Sequence, residues 1–305
     1  AHILAIVNRR DSDLTFKADG VMYTSSGRDL EMSVASTKAF YSQIVAGALL
    51  GLHIASLIKR KSADFITEEI KQLLKIPGHM RTVLSIKEKI SESAGRLAAA
   101  KTYWATVGSG PNKASSDEIR IKLSELCYKT ISTDCVEDKK HIDLSSEPMI
   151  IVCAAGTRES VIGDIIKDTA IFKAHKASTV VIANQGENRF ADHADDVFHV
   201  PVIEEHLAPI LNTLVGHIWG YYAALAINES SKFLDSFRQE IRQSIEEFTA
   251  MGMDVYEIIL EKAFREKIGR FDRELRHKIA DNKFPVVMGL SYASDLSLLL
   301  KYLRS

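Results

Sequence analysis

Cysteine is scarce in this chain: Cys127, Cys135 and Cys153 are the three among 305 residues. An odd, sparse set without CxxC spacing excludes a disulfide framework and a zinc knuckle, and a reducing cytoplasm is the expected setting. Charge of one sign is lacking as well. Lys and Arg total 39 against 40 Asp and Glu, a net charge of -1, so neither nucleic acid nor an anionic membrane surface is expected as a partner. A local anion site stays compatible with that balance, because one phosphate needs only a few donors. Long apolar runs are missing: the longest, Ile44 to Ile58, is interrupted by Gly47, Gly51 and His53, too short and mixed for a membrane span. The opening Ala1-His2-Ile3-Leu4 lacks the basic start of a signal peptide. Metal-ligand spacing is absent too, so no metal and no cofactor are expected.

What is present is an alternation of short apolar β-branched runs and longer amphipathic stretches. Ile3 to Val7, ending at Asn8, reads as a buried parallel strand, and Ala18 to Tyr23 as a second short one. Val34 to Leu57 reads as a long helix, and Thr67 to Ala100 as a helical stretch broken at Pro77-Gly78. Strands are expected at Trp104 to Val107, Met149 to Ala154, Thr179 to Ala183 and Val197 to Val200. Helices are expected at Asp117 to Tyr128, Glu159 to His175 and Leu207 to Ile227. Such alternation predicts an α/β fold with an open parallel sheet and helices on both faces. The chain also repeats itself. Ile3 to Asn8 matches Val180 to Asn184, Ala18-Asp19-Gly20-Val21 matches Ala194-Asp195-Asp196-Val197, and Trp104 to Gly108 resembles Pro285 to Gly289. The offset of about 176–181 residues is that of a whole domain, although any two parallel α/β units share some likeness.

Three constellations carry chemistry. In Glu31-Met-Ser-Val34-Ala-Ser36-Thr37-Lys38-Ala-Phe40, hydroxyls and backbone N–H groups gather at a helix N-terminus, which suits a phosphate. Ser36 and Thr37 read equally well as helix caps. Glu118, Lys122 and Glu125 fall at i, i+4 and i+7 on one helix face, a pattern that also fits a solvated Glu–Lys–Glu ladder. His141 stands in a polar stretch, Asp138 to Asp143, where an exposed loop histidine is the plain alternative.

Together these segments resemble the isomerase (SIS) domains of glutamine–fructose-6-phosphate aminotransferase, the glucosamine-6-phosphate synthase family, over roughly residues 1–230. The resemblance lies in Glu before Val-Ala-Ser-Thr-Lys-Ala-Phe, and in Glu-x-x-x-Lys-x-x-Glu-x-x-Tyr after the Gly108–Gly110 turn. It implies an α/β three-layer αβα sandwich with a parallel sheet, SIS type and flavodoxin-like, in tandem units. Residues 1–65 would be the C-terminal part of a first SIS domain, 66–100 a helical linker, 101–235 a second SIS domain, and 236–305 a helical linker with the start of a further α/β unit. It implies that Glu31, Val34, Ser36 and Glu118 line a phosphorylated-sugar site. Glu125 would stand as general base, Lys122 as the charge-stabilising cation, and His141 as the ring-opening group acting in the neighbouring subunit of a homodimer. The implied activity is aldose–ketose isomerisation of a sugar phosphate, as the isomerase part of an aminotransferase acting on fructose 6-phosphate. A non-catalytic phosphosugar-binding module is the alternative. Three family features have no counterpart here: the Ser-Gln-Ser-Gly-Glu-Thr phosphate turn, whose place in the second domain is taken by Thr157 to Ser160; the tail lysine, which Asn228 to Asp235 does not supply; and the glutaminase cysteine.

Overall fold

The computed structural model describes residues 2–25, 36–141, 144 and 147–281. The chain divides into two compact units, Ala1–Leu84 and Ser85–Ser305.

In the first unit, β1 (Leu4–Val7) and β2 (Gly20–Tyr23) form a parallel pair joined by the short helix α1 (Asp13–Lys17). Two long helices follow, α2 (Lys38–Leu57) and α3 (Ala63–Leu84). The break expected at Pro77-Gly78 is not there: α3 runs through Pro77. Ile66, Leu73, Ile76, Met80 and Val83 form one inward stripe along it, while Pro77 lies on the exposed side. Packing of that stripe, buried at Ile76 and Val83 and half-buried elsewhere, outweighs the one hydrogen bond that proline removes. The chain breaks later, after Leu84.

The second unit opens with α4 (Lys87–Ala100), β3 (Trp104–Gly108), α5 (Asn112–Cys127), β4 (Ile131–Asp134) and α6 (Val136–Lys139). It continues with β5 (Met149–Cys153), α7 (Glu159–Ala174), β6 (Ser178–Asn184) and β7 (Asp196–Val200). All five strands are parallel in the order β4-β3-β5-β6-β7, the doubly wound arrangement of flavodoxin-like sheets. Alternate strand residues separate two helical layers. Ala105, Val107, Ile150, Val152, Val181 and Ala183 pack with Ile162, Ile165 and Phe172 of α7 and Val136 of α6. On the other face lie α4, α5 and α8 (Ala208–Ala250), where Trp104 meets Trp219 edge-on at 5.2 Å. The αβα sandwich is therefore present, with α5 and α6 on opposite faces, as right-handed crossovers require. Sequence pattern missed β4 and α6, both short and polar.

The helix α8 runs to Ala250, well past Ile227, so residues 235 and 236 both lie inside it. No Gly or Pro occurs between Asn228 and Ala250, and the helix stops only where Gly252 takes a φ of 87°. Its distal half packs with α9 (Val255–Leu260) and α10 (Lys262–Ala280) around Phe237 and Phe271, stacked at 3.5 Å. The stretch 66–100 is likewise shared out: α3 belongs to the first unit, and α4 packs on α8 in the second.

Two of the three repeated segment pairs can be compared atom by atom, while Pro285 to Gly289 lies outside the described residues. Asp19 accepts from Ile3 N and Asp195 from Thr179 N, each at 2.7 Å, and each aspartate returns its own N–H to the same residue's carbonyl at 2.9 Å. The strand registers Leu4↔Gly20 and Val180↔Asp196 carry the same offset. By length and composition α2 and α8 are both apolar enough to cross a bilayer, and α2 at 20 residues exceeds the interrupted run read from the sequence. Most of the apolar window of α8 is buried within its unit.

Candidate functional site

The site residues of the second unit are set by how α5 is launched and what it leans on. A Cβ on Gly108 would lie 2.1 Å from the Asn112 carbonyl oxygen, so only glycine lets the helix begin directly over β3. Asn112 is buried and donates to the Ala155 carbonyl at 2.9 Å, while Asn212 of α8 donates to Asn112 Oδ1 at 2.9 Å. These amides tie α5, α8 and the β5–α7 turn together. The helix ends at Tyr128, left-handed at φ 52° and almost wholly exposed.

Two glycines of α8 bring it close against α5. A Cβ at Gly216 would meet Ile119 side-chain atoms at 2.3 Å, and one at Gly220 would meet Leu123 at 2.8 Å. The close approach presses His217 onto the polar stripe of α5. Its Nε2 lies 3.1 Å from Glu118 Oε1, and Lys122 Nζ lies 3.8 Å from the same oxygen. The side chains of His217 and Lys122 are each 4% exposed and that of Glu118 is 17% exposed, so this is a half-buried acid held between two buried nitrogen groups. Burial pulls His217 below its ordinary value, against the opposing pull of Glu118.

Glu125 sits one turn farther along α5, exposed to solvent. His141 is also exposed, on the short turn after α6. That turn is anchored by Lys140, whose ammonium lies 2.7 Å from the buried Asp168 of α7. Glu125 thus belongs to the α5 layer and His141 to the α6–α7 layer, and the sheet stands between them. In the first unit Ser36 Oγ accepts from Ala39 N at 3.1 Å, so it does act as a cap of α2. Glu31 and Val34 lie outside the described residues. The structure therefore brings Glu118 and Lys122 together, leaves Glu125 exposed on the same helix, and puts His141 on the other face. Pattern reading missed His217; its signal is a polar residue inside the apolar Gly216-His-Ile-Trp-Gly220 run.

At the carboxyl ends of β5 and β6 lies a cavity of about 460 Å³ lined by Thr157, Glu159, Asn184, Gln185, Glu187 and Arg189 among others. This is where ligands of open α/β sheets bind. Here, however, Arg189 is engaged by Glu187 at 2.5 Å and by Glu159 at 2.8 Å, and its hydrogen bonds hold Glu187 below the usual carboxylate range. Glu159 opens α7, so the anion-favouring helix end already carries a carboxylate. Among the described residues no group of three or more His, Cys, Asp or Glu is placed to hold a metal.

No family model matches the chain. Relatives in sequence include the glutamine–fructose-6-phosphate aminotransferase [isomerizing] of Methanosarcina acetivorans, 33% identical over 227 residues, which are 74% of this chain and 36% of that protein. The enzyme of the same name from Corynebacterium glutamicum is 29% identical over 231 residues, 74% of this chain and 37% of that protein. The chain spans about a third of the length of these relatives. Among solved structures, the C-terminal domain of glucosamine-fructose-6-phosphate aminotransferase from Francisella tularensis superposes with a TM-score of 0.65 at 20% identity, covering 73% of this chain and 62% of that one. Tagatose-6-phosphate ketose/aldose isomerase from Escherichia coli gives a TM-score of 0.56 at 13% identity, covering 73% and 60%.

Proposed function

We propose, for a chain that belongs to the SIS sugar-isomerase class and is related in sequence to glutamine–fructose-6-phosphate aminotransferases, that it interconverts a ketose phosphate and an aldose phosphate. It is read as the isomerase part of a glucosamine-6-phosphate synthase-like enzyme, with fructose 6-phosphate as substrate. The observation that carries this reading is the α5 helix: a buried Lys122 held beside Glu118, with Glu125 exposed three residues on.

Moving a proton between C1 and C2 of an open-chain sugar needs one base that can reach both carbons, and Glu125 has the exposure to meet a substrate. The enediolate oxygen that develops needs a cation in a desolvated setting, which is what Lys122 offers. Glu118 would orient the sugar, while Glu31, Val34 and Ser36 are read as phosphosugar-binding residues of the first unit. A sugar that arrives as a ring must first be opened. His141, acting on the substrate of a second copy, is assigned that proton transfer. Its separation from Glu125 by the sheet supports a homodimer, since one chain does not supply both groups from one face. Cytoplasmic phosphosugar metabolism is the fitting setting, and neither nucleic acid nor membrane is assigned as a partner. The apolar face of α2 is read as a packing face of an SIS unit, because its repeat counterpart α8 is largely buried.

The test is direct assay of fructose 6-phosphate against glucose 6-phosphate and glucosamine 6-phosphate. Wild-type turnover should fall by about 10³-fold or more in Glu125→Gln, with ligand binding retained. Unchanged turnover in that variant would remove Glu125 from the role of base. A second reading, phosphosugar binding without turnover, is favoured by one feature: the β5–α7 turn meets Arg189 with its own Glu159. Thermal stabilisation by the sugar phosphate with no interconversion would establish that reading instead.

A further inference from the structure

We infer that His217 is a positioning residue for the Glu118–Lys122 pair: its ring holds the Glu118 carboxylate where the Lys122 ammonium meets it. The inference rests on the proposed role of α5 and adds to it a residue from a different element. Three observations carry it. The Gly216 and Gly220 backbones lie directly against the Ile119 and Leu123 side chains, and the intervening His217 is buried in that contact. The Nε2–Oε1 separation of 3.1 Å is that of a hydrogen bond, and Lys122 approaches the same oxygen at 3.8 Å. His217 and Lys122 are buried, so water has little access to either nitrogen group.

The arrangement has a chemical consequence. A neutral imidazole donating from Nε2 fixes one carboxylate oxygen without adding charge. Glu118 then remains the counter-charge of Lys122, whose ammonium meets it at 3.8 Å. Lost positioning would leave substrate binding largely intact and lower the rate of the step that needs the lysine's charge. The ionisable groups bearing on His217 are Glu118 and Lys122 of α5. Of the other helices packed against α8, α4 turns inward Ile90, Ser93, Ala94 and Leu97, none of them ionisable, and α9 and α10 pack on its distal half.

The experiment uses the full chain in two arms. In the first, the His217 imidazole is titrated by ¹⁵N NMR in wild type and in Glu118→Gln. Loss of the carboxylate should lower its midpoint by about half a unit or more; an unchanged midpoint overturns the inference, whatever the protein's activity. In the second, isomerisation of fructose 6-phosphate is followed in His217→Leu and His217→Gln. The leucine variant should lose about tenfold in kcat with KM within about twofold, and glutamine, which keeps an N–H donor, should recover to within about threefold of wild type. Equal kcat in wild type and the leucine variant overturns the positioning role. Should wild type itself fail to turn over, it is the proposed function that falls, and the titration arm still decides whether His217 holds Glu118.

Discussion

A handful of residues here are dictated by geometry rather than by chemistry. Gly156 takes a φ of 73°, and a Cβ there would lie 2.2 Å from the Ala208 Cβ. Its N–H donates to Asn184 Oδ1 at 3.0 Å. A Gly156→Ala change combines left-handed strain with overpacking and should cost about 2–4 kcal/mol, read as a lowered midpoint in urea at an unchanged slope. His217 makes a prediction of opposite kind, in pH. Its folded-state value lies below the ordinary 6.5, chiefly through burial. Between those two values the unfolded chain binds a proton that the folded chain refuses, so stability falls as pH drops through 6.5 and is fully present above it. Urea unfolding at several pH values should show wild type losing stability on acidification more steeply than His217→Gln. Identical slopes would remove His217 from the list of acid-sensitive groups.

At the scale of elements, the α5–α8 contact decides the site. Helices that approach this closely need small residues at the crossing, and Gly216 and Gly220 supply them. Gly216→Val would drive two methyl groups into Ile119 and push α8 away, at about 1–3 kcal/mol by the usual cost of overpacking. It should also break the His217–Glu118 contact. The expected result is a lowered melting temperature together with a His217 resonance that titrates nearer its ordinary range, because relief of the burial that depresses it outweighs the lost Glu118 contact. A stability loss without that change would mean that the histidine follows its own helix and not the interface. Elements were also where pattern reading was most uneven. Strands β3, β5 and β6 are runs of buried apolar residues, and no expected limit differs from the observed one by more than one residue. The edge strand β4 and helix α6 are four residues each with hardly any periodicity, and the inward stripe opposite Pro77 shows that packing overrides a local breaker.

At the scale of the whole molecule, the sheet between Glu125 and His141 makes a prediction about assembly. If each site takes Glu125 from one chain and His141 from another, Glu125→Gln and His141→Ala are each inactive alone. Mixed under conditions that exchange subunits, they should form hybrid dimers with one intact site, and recover about a quarter of wild-type activity in a statistical mixture. No recovery after confirmed exchange would mean that both groups serve the same chain's site, or that His141 serves none. The repeat between the units bears on the same scale. The Asp19 and Asp195 hydrogen bonds show the same strand-pairing device in both units.

The sequence by itself determined the class of fold, because alternating buried strands and amphipathic helices have few packings, and it marked Glu118, Lys122 and Glu125 as one face of one helix. It also carried the repeat, since the Asp that pins each strand pair is legible as a letter. Only the tertiary structure decided which of those carboxylates is buried and which meets solvent, because helical spacing says which residues share a face and nothing about what covers it. His217 became visible only there: it lies 99 residues from Glu118, and a contact across that distance exists only once two glycines have let the helices close.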